Sequence, residues 1–77
     1  MKLTVTNTNF LNRYDWIFEL KDDNEKLYYI MDTPFYKQLN LKSPISKKHL
    51  DSLDKGQAID ADVIDFSGRN VVISIIE

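Results

Sequence analysis

The chain has no cysteine, a single histidine, two glycines and two prolines among its 77 residues. Each scarcity excludes something. Without cysteine there is no disulfide framework, no thiolate metal site and no thiol nucleophile. With so little glycine and proline, 43% hydrophobic residues and nine aromatics, the composition is not that of a disordered chain. No apolar run is long enough to span a membrane. The opening Met1-Lys-Leu-Thr-Val-Thr also lacks the apolar stretch of a secretory leader, so a cytoplasmic protein is expected. No glycine-rich phosphate loop is present, and a domain this short has little room for a cofactor cleft, so no cofactor is expected.

What is present must fold on an apolar core alone. A chain of this size buries only about 60% of its unfolded surface, so its margin is thin, and residues 1–77 are expected to form one small β-rich domain. Leu3 and Val5 alternate with Lys2, Thr4 and Thr6 as in a short strand. Trp16, Phe18 and Leu20 share one parity, as do Leu27, Tyr29 and Met31, with turn chemistry at Asp22-Asp-Asn-Glu25 between them. Opposite residues of an antiparallel pair have a constant index sum. The pairs Leu20–Leu27, Phe18–Tyr29 and Trp16–Met31 share one sum and would place all six large residues inside, with a two- or four-residue loop. Ile17, Tyr28 and Ile30 would then face outward.

Farther along, Thr33-Pro34 can open a short helix through Leu39, since proline suits the first helical turn; Phe35 to Leu41 reads equally as a loop. Ser43-Pro44 to Gly56 has the punctuation of a helix at both ends, with Ile45, Leu50 and Leu53 as a narrow apolar stripe. In the last hairpin Ile59, Ala61 and Val63 share odd parity with Val71, Ile73 and Ile75. Facing these sets requires an odd loop, and Phe66-Ser-Gly68 supplies three residues. Asp60 and Asp62 then point outward beside Val72, Ser74 and Ile76.

Strand, strand, strand, helix, strand, strand is the order that results. With the Leu53-Asp-Lys-Gly56 passage into strand four, the chain resembles the OB-fold, a five-stranded Greek-key barrel. The resemblance rests on element order and implies a five-stranded antiparallel barrel with one helix. The alternative is an open antiparallel sheet with one packed helix.

Candidate chemistry is sparse. Asp60 and Asp62 lie roughly 7 Å apart along one strand face, too far to chelate one ion without further ligands, and Asp65 has the opposite parity. The spacing does not fit a calcium loop, and charged residues solvating a strand explain it, so no metal is expected. His49 sits beside Lys47 and Lys48 with no motif nominating a nucleophile. No catalysis is expected.

Charge is uneven. The chain carries a formal −2, yet Lys37, Lys42, Lys47 and Lys48 lie in a stretch without acids, whereas 51–65 holds five aspartates and one lysine. Barrels of the resembled class that bind single strands stack bases on sheet aromatics and guide the backbone with lysine and arginine. The candidate interaction surface is therefore Ile17, Tyr28, Ile30, Tyr36, Lys37, Lys42, Lys47 and Lys48. The acidic balance disfavours phosphate-driven binding. A non-catalytic binding module is thus expected, with a protein partner or self-association first and single-stranded DNA or RNA as the alternative. Eight lysines against two arginines, with frequent asparagine and isoleucine, point to an AT-rich bacterial or phage and mobile-element source.

Overall fold

The strands of this protein are defined by which side chains each can bury. In the computed structural model, which describes residues 1–8, 15–45 and 53–76, they are β1 (Lys2–Thr8), β2 (Trp16–Lys21), β3 (Leu27–Met31), β4 (Ala58–Phe66) and β5 (Arg69–Ile76). A short helix, α1 (Thr33–Gln38), follows β3. The molecule is mainly β, with all five strands in one mixed sheet.

Each strand has two neighbours, in the closed order β1-β2-β3-β5-β4. Four of the contacts are antiparallel, but β3 and β5 run parallel through Tyr29 and Val71. The purely antiparallel arrangement read from the sequence is thereby corrected, and the reason is parity. Five strands in a ring cannot alternate direction all the way round, so at least one pair must be parallel.

The first hairpin also differs from its expected register. Trp16 opposes Met31 as expected, but then Phe18 opposes Ile30, Glu19 opposes Tyr29, Leu20 opposes Tyr28 and Lys21 opposes Leu27. Ile17 is the extra residue of a β-bulge, and beyond it the pairing is one step out. Tyr28 and Ile30 consequently point to the inner face of the sheet with Phe18 and Leu20, all four buried. The turn decides this. Asp22 N–H donates to the Lys26 carbonyl at 3.2 Å, closing a three-residue loop whose last member, Glu25, is left-handed at φ 63°. The Asp22 carboxylate accepts the Asn24 and Lys26 amides and the Tyr28 hydroxyl. Because both faces of β3 are apolar, burial does not penalise the slip, and turn chemistry selects the register.

The last hairpin also departs from its expected register by one residue. Phe66 opposes Arg69 across a two-residue turn, Ser67-Gly68, with both residues at positive φ. This is a primed turn whose twist matches the flanking strands. The even register appears only beyond a second bulge at Ile73, where Asp62 opposes Ser74 and Ala61 opposes Ile75. Val72 is therefore buried inside and Val71 lies outside, the reverse of the sequence expectation. A third bulge, at Thr6 of β1, places the Thr6 hydroxyl against the Glu19 carbonyl and carboxylate.

Inside the ring, Leu3, Val5, Phe18, Leu20, Tyr28, Ile30, Ile59, Ala61 and Val72 pack with Leu53 as one core. Burying each large side chain contributes about 1.5–3 kcal/mol. Outside it, α1 covers a second cluster of Met31, Tyr36 and Val71, flanked by Trp16, Tyr29, Phe35 and Ile64. The helix ends in a Schellman motif. Leu41 N–H donates to the Tyr36 carbonyl, Asn40 N–H donates to the Lys37 carbonyl, and Asn40 is left-handed. Of the helix expected over 43–56, residues 46–52 lie outside the described residues, whereas Ser43–Ile45 and Leu53–Asp54 are not helical. Gly56 is left-handed and leads the chain into β4 beside β1, its amide donating to the Val5 carbonyl at 2.7 Å.

Candidate interaction face

The register slip that sends Tyr28 and Ile30 inward turns Leu27, Tyr29 and Met31 outward. Around them gather side chains from other elements: Trp16 at the head of β2, Phe35 on α1, and Phe66 and Arg69 on either side of the Ser67-Gly68 turn. The rings of Trp16 and Tyr29 lie 5.7 Å apart, and Phe35 meets Phe66 edge-on at 5.2 Å. Phe66 is 40% exposed and Leu27 38%, while Trp16, Tyr29 and Phe35 are half-buried. The face is thus a continuous apolar surface that is only partly withdrawn from water.

Among the described residues, the cation built into this face is Arg69. The guanidinium stands 5.3 Å from the Tyr29 ring centre, and its Nη1 lies 3.9 Å from Met31 Sδ and 2.9 and 3.0 Å from the two carboxylate oxygens of Asp15. Asp15 is fixed in turn through its backbone, whose carbonyl accepts the Asp32 amide at 3.1 Å. Asp65 orders the turn by accepting the Gly68 amide at 3.0 Å. Asp15, Met31, Phe35, Phe66, Ser67 and Arg69 enclose a cleft of about 250 Å³. That is smaller than the usual small-molecule site and suits one large side chain.

Beneath the cleft, Tyr36 ties the strands together. It is fully buried; its hydroxyl donates to the Val72 carbonyl at 2.6 Å and accepts the Met31 amide at 3.1 Å. Burial pushes this phenol up to about 12, so it remains a neutral donor.

The sequence-predicted surface is divided by this geometry. Tyr28, Ile30 and Tyr36 are buried and leave the candidate set, the first two through the one-step register and the third because α1 forms and turns it onto β3 and β5. Ile17 is the bulge residue and is half-buried against the inner core. Lys37 and Lys42 are exposed, but neither lines the cleft. Lys47, Lys48 and His49 lie outside the described residues.

Sequence reading missed Trp16, Leu27, Tyr29, Phe35, Phe66 and Arg69 as surface residues. A signal existed for two of them. Phe66 and Arg69 bracket Ser67-Gly68, so a two-residue turn at this dipeptide places both at a hairpin tip, where burial is hardest.

The aspartates are on the wet side. Asp60, Asp62 and Asp65 are exposed, and Asp60 accepts the chain's amino terminus at 2.7 Å, which holds its carboxyl below the ordinary range. Among the described residues no group of three or more histidines or carboxylates is placed to share a metal ion, and no helix is long and apolar enough to cross a membrane. Compared with protein-family models, with curated proteins and with solved structures, the chain finds no match in any of the three.

Proposed function

We propose that this chain is a non-catalytic binding module that recognises another protein through the outer face of β3 and the β4–β5 turn. One observation carries the reading. Trp16, Leu27, Tyr29, Phe35, Phe66 and Arg69, brought from β2, β3, α1 and the last hairpin, form one half-exposed surface. Tryptophan, tyrosine and arginine are the residues that dominate protein interfaces energetically, and a contiguous apolar patch left in water is what such interfaces consume.

The strand order, with β3 and β5 parallel and α1 following β3, supports an OB-type barrel as the scaffold. In such barrels the face of strands two and three and the flanking loops carry the ligand. That same location keeps single-stranded nucleic acid as the competing reading. Charge weighs against it. A strand of phosphates calls for several free cations, yet Arg69 is already paired with Asp15 and the chain is at −2 overall.

A photo-cross-linking residue at position 67, compared with one at position 62 on the wet side of β4, tests the reading in extract from the native source. Discrete protein adducts at 67 and none at 62 are expected. Salt-sensitive quenching of Trp16 by short single-stranded DNA or RNA, with no protein adduct at 67, would transfer the function to nucleic acid.

A further inference from the structure

The Asp15–Arg69 pair is unusual in how it uses the guanidinium. Fork-on-fork pairing of arginine with carboxylate spends two nitrogens in parallel. Here a single nitrogen, Nη1, serves both oxygens of Asp15. Nε and Nη2 therefore make no hydrogen bond among the described residues, and three of the five guanidinium N–H donors remain unspent. The side chain is nonetheless held in place by the Tyr29 ring, by the Met31 sulfur and by Asp15. It is 43% exposed at the mouth of a cleft whose other wall is Phe35 and Phe66.

From this we infer that Arg69 is the specificity-determining residue of the cleft, and that the partner presents a carboxylate next to an aromatic or large aliphatic side chain. The apolar group packs in the cleft against the wall that Phe35 and Phe66 form together, and the carboxylate takes the Nε and Nη2 edge of Arg69. This inference rests on the interface reading above and gives it a ligand class.

Three features favour a carboxylate over other anions. Its planar pair of oxygens matches the free side-on edge of the guanidinium. A single carboxylate brings one charge to share Arg69 with Asp15, whereas successive phosphates would meet Asp15 beside the one cation that lines the cleft among the described residues. The cleft holds about 250 Å³, room for one side chain and not for a run of bases. Asp15 has two effects: it orders the guanidinium and it competes electrostatically with an incoming anion.

Matched fragments test this on the intact chain. N-acetyl-phenylalanine carries the carboxylate, N-acetyl-phenylalaninamide lacks it, and hexathymidylate represents nucleic acid. Binding is followed by ¹⁵N chemical shifts at Ser67, Gly68, Arg69 and the Arg69 Nε–H. The acid is expected to move all four signals and to bind about fivefold or more tighter than the amide, as a charge-assisted bond should. Arg69→Lys keeps the charge but loses the planar edge, and should bring that ratio close to one. Asp15→Asn should tighten binding of the acid and leave the amide unchanged. Unshifted Leu3 and Val5 amides in both variants verify the fold.

Equal binding of acid and amide in the cleft would overturn the carboxylate inference and leave the interface reading standing. So would silence from both fragments together with protein adducts at position 67. Hexathymidylate shifting the cleft signals in preference to the acid would overturn both.

Discussion

Removing one oxygen atom, in Tyr36→Phe, tests how the ring is closed at its weakest seam. The contact between β3 and β5 is short, with Tyr29 and Val71 its one registered pair. The Tyr36 hydroxyl supplements it by accepting the Met31 amide of β3 and donating to the Val72 carbonyl of β5. Phenylalanine fills almost the same space, so no cavity term enters. What remains is a buried amide with its acceptor removed and a buried carbonyl that loses its 2.6 Å donor. Leaving a buried group unsatisfied costs about 1–3 kcal/mol. The carbonyl has a second lone pair, so its loss falls at the lower end, and the sum is about 2–4 kcal/mol. For a domain of this size, total stability is about 4–12 kcal/mol, so the variant should lose a large share of it. Urea unfolding followed by Trp16 fluorescence should show a lower midpoint at unchanged slope. A second signature comes from alkali. The phenol's folded value, about 12, lies above its ordinary 10.0, so the folded state retains a proton that the unfolded chain releases. Stability is full below pH 10 and declines as pH rises toward 12. Tyr36→Phe should flatten that arm of the curve. A midpoint within about 0.5 kcal/mol of the parent, the scale of an ordinary surface change, together with an unaltered alkaline arm, would refute the bridging role.

Four further outcomes are expected. Glu25→Gly should stabilise by about 0.5–1 kcal/mol in thermal or urea unfolding, because Glu25 occupies the left-handed position of a three-residue loop; a loss would mean that the turn has another register. Gly68→Ala should cost about 1–2 kcal/mol through backbone strain alone, since a Cβ there meets nothing within 4 Å. Asp22→Ala should lower the melting temperature more than Asp23→Ala does. Asp22 is held below its ordinary 3.8, chiefly by the Lys26 amide, so this difference should be full above pH 3.8 and shrink as pH falls through the folded value. Phe66→Ser should leave the urea midpoint within about 0.5 kcal/mol, as for an exposed site, while reducing cross-linking from position 67.

Much of the architecture was legible because it depends on patterns that survive a register change. The strands at 16–21, 27–31 and 58–76, the turn chemistry at 22–25 and the left-handed glycine at 56 follow from parity and from residues that tolerate few conformations. Burial of Phe18, Leu20, Ile59 and Ala61 follows from the same alternation. The candidate surface was less legible. On β3, Leu27, Tyr29 and Met31 alternate with Tyr28 and Ile30, so both faces are apolar and hydrophobicity cannot choose between them. The choice lay in Asp22, whose carboxylate satisfies two amides only if the loop has three residues. Tyr36 was unreadable for a different reason. A short helix is specified by its ends, and the Asn40 cap that completes α1 becomes visible only when the chain beyond it is placed.

Each hairpin misses its expected loop by one residue, and each regains the expected parity through a bulge, at Ile17 and at Ile73. This is what allows one short chain to carry two apolar layers. Between bulge and turn, each hairpin presents the parity opposite to the one it presents beyond the bulge. The outer face of β3 and β5 is thereby as apolar as the inner one: β3 is apolar on both faces, and the bulge in β5 lets Val71 turn outward while Val72 turns inward. Part of that outer layer, Met31 and Val71, is covered by α1 through Tyr36. The remainder, from Leu27 to Phe66, lies beyond the six-residue helix and stays half in water. The surface assigned to a partner is thus the portion of a second core that the protein's own described elements do not cover, and extending α1 over it would close the cleft at the expense of binding.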